Sequence, residues 1–282
     1  MNAVKKDRTR ISFGRLSDPG VLAGTPLASE NPALEHFTTR NFQYIVDNIV
    51  DMFGLSQGMI RTEVVQKDYV LGWLDRNGNG KAERDEILLQ FTMNASINTY
   101  HRESLYGKYF MYTTAAQYGY PVIFGIAAHE VGHLINRYVT AVTETRIIRG
   151  MPYLVETQKL NDRWDELCAD YLSGIVLAKA MPRLSQEPIK RFLAGTEADE
   201  MHPDGFWRVY AVEMGYQWGC VNSPMLTSRI LTDKESLRQL LSSFCQTYYQ
   251  KVYHGVDFRT RMKYSSLSGQ IMEPCAIPIA RL

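Results

Sequence analysis

The stretch Pro121-Val-Ile-Phe-Gly-Ile-Ala-Ala-His129-Glu130-Val-Gly-His133-Leu-Ile-Asn-Arg-Tyr138 limits the possible folds more than any other part of the chain. It is apolar on almost every side, so it predicts a helix buried all round rather than a helix with one wet face. Pro121 suits the first helical position, where a missing N–H goes unnoticed. His129 and His133 stand four apart and leave the same face one turn from each other, with Glu130 beside them. Each such group, buried without a partner, costs about 1–3 kcal/mol. One way to meet that cost is a pair of core histidines satisfied by neighbouring side chains. The other is zinc gripped by both imidazoles, with Glu130 pointed at a water on the metal, and the chemistry of a His-Glu-x-x-His turn favours it.

A second helix is predicted over Asn161–Ala180, where Asp162, Glu166 and Asp170 form a stripe at i, i+4 and i+8. Alone, that stripe reads as a solvated acidic face. Beside the first helix it reads differently, because a catalytic zinc needs a third protein ligand and a carboxylate supplies it while leaving the fourth position for water.

His129-Glu-Val-Gly-His133 followed by Glu166-Leu-Cys-Ala-Asp170 resembles the gluzincin metallopeptidases, closest to the HtpX-like and CAAX-prenyl-protease-like branch, whose pattern is HExxH and then ExxAD. Met201-His202-Pro203-Asp-Gly-Phe-Trp-Arg208 is similar to that branch's His-Pro segment with an Arg opening a late helix. The likeness covers about residues 120–218. It implies a zinc metallopeptidase of the zincin-like fold, α+β and mainly helical, with a small mixed sheet beside the HExxH helix. Carried over by position, it implies that His129, His133 and Glu166 ligate zinc and that Glu130 is the general base. Asp170 would accept a hydrogen bond from a ligand histidine, and His202 would stand near the oxyanion with Arg208 anchoring that region. From the residues alone, a histidine beside a proline and a lone arginine also fit a surface loop. Peptide or protein is the implied substrate. The best-known members of the branch carry transmembrane helices, whereas no apolar run here approaches the ~20 residues a span needs.

Asp75-Arg-Asn77-Gly-Asn79-Gly80-Lys81-Ala-Glu83-Arg-Asp-Glu86 fits the twelve-residue calcium loop of an EF-hand. Asp75, Asn77 and Asn79 would offer side-chain oxygens, Lys81 a carbonyl, and Glu86 two oxygens at the twelfth place. The same Asn-Gly-Asn-Gly run is a strong hairpin signal, because Asn and Gly accept the positive φ of tight turns. Calcium and hairpin both stay open.

Elsewhere the reading is coarser. Residues 1–35 mix basic residues with Gly, Pro and Ser and are expected to form a loosely ordered arm, leaving 36–282 as one metallopeptidase domain with a helical part from about 219. Phe42, Ile45, Ile49 and Phe53 predict a helix stopped at Gly54. Met59–Val65 predicts a strand. Residues 97–112 are polar and tyrosine-rich without clear periodicity, and His101 reads as a surface residue. Glu235–Tyr249 is amphipathic, with Leu237, Leu240, Leu241 and Phe244 on one face.

A net charge of +1 gives no global attraction to nucleic acid. The four cysteines, Cys168, Cys220, Cys245 and Cys275, are spaced as buried thiols, with one long-range disulfide left open. The start lacks an apolar signal segment, so the chain as given reads as soluble and cytoplasmic, and as extracytoplasmic if a leader was removed. Two rival functions stand beside the peptidase: a zincin-like scaffold or chaperone that no longer cleaves, and a calcium-responsive binding module built on the loop at 75–86.

Overall fold

The structure is a computed structural model that describes residues 37–65, 95–99, 101–140, 142–148, 151–158, 162–180, 183–198, 202–222, 233–257 and 259–261. The N-terminal arm, the calcium-loop segment at 75–86 and Cys275 lie outside these residues.

Helix α1 (Thr39–Met52) begins where Thr38 Oγ1 accepts the Asn41 N–H at 3.2 Å, which satisfies one of the helix's otherwise unpaired amides. Phe42, Ile45, Val46, Ile49 and Val50 are buried along one stripe, each worth about 1.5–3 kcal/mol of gross burial. Gly54, at φ +71°, ends the helix in the left-handed conformation glycine adopts without strain.

Strands β1 (Arg61–Val65), β2 (Ala95–Asn98) and β3 (Glu103–Gly107) make a sheet of order β1-β3-β2. β1 runs parallel to β3, with Thr62 opposite Ser104, and β2 runs antiparallel, with Ala95 opposite Tyr106. Residues 97–112 hide this structure from a periodicity reading for a physical reason. Ser104 and Tyr106 on β3 are both fully buried, and Ser104 Oγ lies 3.1 Å from Thr62 Oγ1, so polar hydroxyls pair inside the sheet where alternation would call for apolar side chains. The same span then runs into α2 (Lys108–Tyr118) with Gly107 as its cap.

Helix α3 (Pro121–Thr140) is the predicted central helix, with Val122, Ile123, Ile126, Val131, Leu134, Ile135 and Val139 buried, Phe124 half-buried and Tyr138 near its end exposed. A hairpin follows, β4 (Val142–Ile148) paired antiparallel with β5 (Met151–Gln158). Then come α4 (Asp162–Lys179), α5 (Glu187–Ala194), α6 (Gly205–Asn222) and α7 (Lys234–Thr247), which continues into a short π-helical turn at Tyr248–Tyr253. The fold is α+β and mainly helical. Its three-stranded mixed sheet touches α3 through β2, while α4 packs between α3 and α6.

Two close approaches set the distances that matter. A Cβ on Gly132 would stand 2.8 Å from the Ala169 Cα, so only glycine lets α3 and α4 cross this tightly. On the other side of α4, a side-chain carbon on Gly215 of α6 would collide with the Tyr171 carbonyl. Leu237, Leu240, Leu241 and Phe244 all bury, so the amphipathic face of α7 lies on the core. Among the described residues no helix is long and apolar enough to cross a membrane.

Candidate metal centre

The crossing at Gly132 brings one turn of α3 against one turn of α4. His129 and His133 face Glu166 there, and the three are buried, at 0%, 8% and 5% exposure. Further bonds fix the crossing on both sides. Asn136 Nδ2 donates to the Asp165 carbonyl at 2.9 Å and to Asp165 Oδ1 at 2.7 Å, and Ser173 Oγ donates to the Gly125 carbonyl at 2.9 Å.

Each imidazole is held by a carboxylate. His129 Nδ1 lies 2.8 Å from Asp170 Oδ1, and His133 Nδ1 lies 2.8 Å from Asp165 Oδ2. An ionised carboxylate only accepts, so each Nδ1 carries the hydrogen and each Nε2 is turned inward. The two Nε2 atoms stand 3.1 Å apart. Glu166 Oε2 is 3.3 Å from His129 Nε2, and Oε1 is 3.4 Å from His133 Nε2. Electron-rich atoms from three side chains therefore converge on one point inside the protein. The donor set His129, His133 and Glu166 could hold a metal ion.

Arg208 sits behind this group, fully buried. Its Nε donates to Asp170 Oδ2 at 2.7 Å and its Nη2 to Asp170 Oδ1 at 3.0 Å, a two-point grip that fixes the carboxylate holding His129. Arg208 Nη2 also lies 3.2 Å from Glu166 Oε2, yet that oxygen has no hydrogen-bond partner. His202, 2% exposed, places Nε2 3.4 Å from Glu166 Oε1.

The electrostatics follow from this arrangement. Burial would raise the Glu166 carboxyl, but His202, His133 and Arg208 outweigh it and hold the group below the usual carboxylate range. Burial likewise opposes the charge on Asp170, and Arg208 and then His129 keep it ionised. For His133, burial pulls down while Asp165, then Glu166, push up, and the imidazole is held up to about 10. Without a metal the site draws a proton inward. Two nitrogens 3.1 Å apart can share one proton between them but cannot readily carry one each, because the like charges would repel.

Glu130 is fully buried on the same turn, and its charge contributes to raising His133, Arg208 and the phenol of Tyr106 on β3. Every residue expected in the metal cluster from the HExxH and ExxAD patterns thus lies at one place. His202 and Arg208 join them, which excludes the surface reading for both. Asp162, the first member of the acidic stripe, lies in the opening turn of α4 and takes no part in the donor set. Asp165 and Asn136 were not singled out by sequence. Asp165 is one position from Glu166, off the i, i+4 stripe, and only the crossing angle of α3 and α4 turns it toward His133.

Comparison with protein-family models, with curated proteins and with solved structures finds no match. The donor geometry carries the functional argument.

Proposed function

We propose that the chain is a zinc-dependent peptidase with Glu130 as its general base. The observation that carries this reading is the inward convergence of His129, His133 and Glu166, with each histidine locked by its own aspartate. The two Nε2 atoms stand 3.1 Å apart and each lies 3.3–3.4 Å from one or the other oxygen of Glu166, so the three side chains close on a space that suits a single small ion.

His129, His133 and Glu166 would hold the zinc, which supplies Lewis acidity and lowers the pKa of water toward about 7. The protein's own groups do the remaining work. Asp170 and Asp165 fix the orientation of the two imidazoles, and Arg208 fixes Asp170. Glu130 takes the proton of the attacking water and later returns it to the leaving amine. His202, beside Glu166, donates to the oxyanion as charge develops on the substrate carbonyl. The site meets solvent on the side of His133 and Asp165, whose side chains are 9% and 35% exposed.

The test is cleavage of a peptide library by wild type and by Glu130→Gln, each with measured zinc content. Wild type should cleave, and Glu130→Gln should keep its zinc while losing about 100-fold or more in rate. A zinc-loaded variant that cleaves as fast as wild type removes Glu130 from its role. One observation favours a second reading, a zincin-like scaffold that holds zinc without cleaving: exposure of only 0–8% across His129, Glu130, His133 and Glu166. Zinc-loaded wild type that cleaves no library member would support it.

A further inference from the structure

Helix α4 carries Glu166 toward the metal donors, and its opposite side is packed on α7. Along that side Trp164, Cys168 and Tyr171 repeat at helical spacing. They meet Phe244, Cys245 and Tyr248: Tyr171 stacks on Phe244 at 4.2 Å between ring centroids, and Trp164 meets Tyr248 edge-on at 5.9 Å. Tyr248 in turn donates its hydroxyl to the Trp207 carbonyl at 2.6 Å. Between the two ring pairs lie two thiols. Cys168 Sγ and Cys245 Sγ are 3.6 Å apart, both buried and both reduced. Among the described residues no other two cysteine sulfurs touch, and Cys220 on α6 is half-buried.

We propose that Cys168 and Cys245 are a disulfide-forming pair that staples α4, the helix of Glu166 and Asp170, to α7 when the chain meets an oxidising pool of small-molecule disulfide. Closing 3.6 Å to the roughly 2.05 Å of a sulfur–sulfur bond asks for rotation of two small side chains, because ring contacts on either side already fix the helices. In the reaction one thiol attacks oxidised glutathione, forming a mixed disulfide and releasing one glutathione thiol. The second thiol then attacks the protein sulfur of that mixed disulfide, and the second glutathione leaves. Two hydrogens and two electrons pass from the protein to the two glutathione molecules. The bond joins residues 77 apart and encloses α5 and α6, with His202 and Arg208, in the covalent loop. Because both sulfurs are sealed, exchange follows the opening of α7 and is slow.

The test equilibrates the full chain with oxidised and reduced glutathione under native conditions, blocks remaining thiols by alkylation, and maps linked peptides by non-reducing proteolysis and mass spectrometry. The expected product is a Cys168–Cys245 linked peptide that forms more slowly than the adduct on Cys220. The oxidised chain should unfold at a urea midpoint higher by about 1 M, a rise that dithiothreitol reverses. Cys220→Ala should leave both results unchanged, and Cys245→Ala should abolish the rise. Recovery of Cys168 and Cys245 as separately alkylated peptides after equilibration overturns the proposal, as does linkage of either to another cysteine. The wild-type peptide map decides the matter even where Cys245→Ala fails to fold.

Discussion

Replacing Arg208 with methionine gives the sharpest test of how the site is supported. Methionine keeps an unbranched apolar stem in a fully buried place but removes the guanidinium and its two bonds to Asp170, at 2.7 and 3.0 Å. Asp170, 1% exposed, then keeps its contact with His129 Nδ1 but has lost its buried counter-charge. Removing one partner of a buried ion pair costs about 3–5 kcal/mol, against about 1 kcal/mol for an average substitution. With a denaturant dependence near 3 kcal/mol per molar, the urea midpoint of metal-free protein should fall by about 1–2 M at pH 7. The pH dependence gives an independent check. In wild type the Asp170 carboxyl is depressed, so its contribution is present above the unfolded value of about 3.9 and is lost as pH falls through the lower folded value. Without Arg208 that carboxyl rises and takes a proton at a pH where wild type stays ionised, which relieves the buried charge. The difference between variant and wild type should therefore narrow from pH 7 to pH 5. Unfolding followed by circular dichroism at both pH values measures this. A midpoint shift under about 0.3 M, or a gap that is the same at both, would refute the claim that Arg208 neutralises Asp170.

Asp165→Asn should weaken zinc binding by about 10- to 100-fold while the fold survives, since the substitution touches the partner of His133 at a 35% exposed side chain. Competition with a chelating dye reads the affinity, and an unchanged value would free His133 from Asp165. Metal uptake should also expel a proton. The metal-free site holds His133 up to about 10, so the imidazolium contributes stability that is full below about 6.5 and lost as pH rises through the folded value. Zinc needs the Nε2 lone pair, so adding it at pH 8 in weak buffer should release about one proton per ion. Release of none would mean that the two imidazoles do not share a proton.

Much of the site could be read from the chain because its chemistry is local. His129, Glu130 and His133 are one turn of one helix, and Glu166 and Asp170 are one turn of another, so helical spacing alone puts each set on one face. The bond between the sets is not local. It depends on Gly132 meeting Ala169, and the same crossing decides that Asp165 rather than Asp162 turns toward the histidines. Burial was the harder quantity. His202 and Arg208 both have polar or loop-forming neighbours that fit a surface, yet they are 2% and 0% exposed because the contact of His202 with Glu166 and the ion pair of Arg208 with Asp170 make their burial tolerable. The strands at 95–107 escaped detection because Thr62 and Ser104 satisfy each other inside the sheet and break the alternation that marks a strand. The amphipathic face of α7 and the stop of α1 at Gly54 agree with their patterns, each being set by residues within a few turns.

Metal content per chain tests the central claim most directly. Wild-type protein, stripped with a chelator, reloaded in zinc and freed of excess by gel filtration, should carry one zinc by elemental analysis, and Glu166→Ala treated identically should carry little or none. Wild type that emerges without zinc, or Glu166→Ala that retains a full equivalent, would contradict the assignment of His129, His133 and Glu166 as the metal donors.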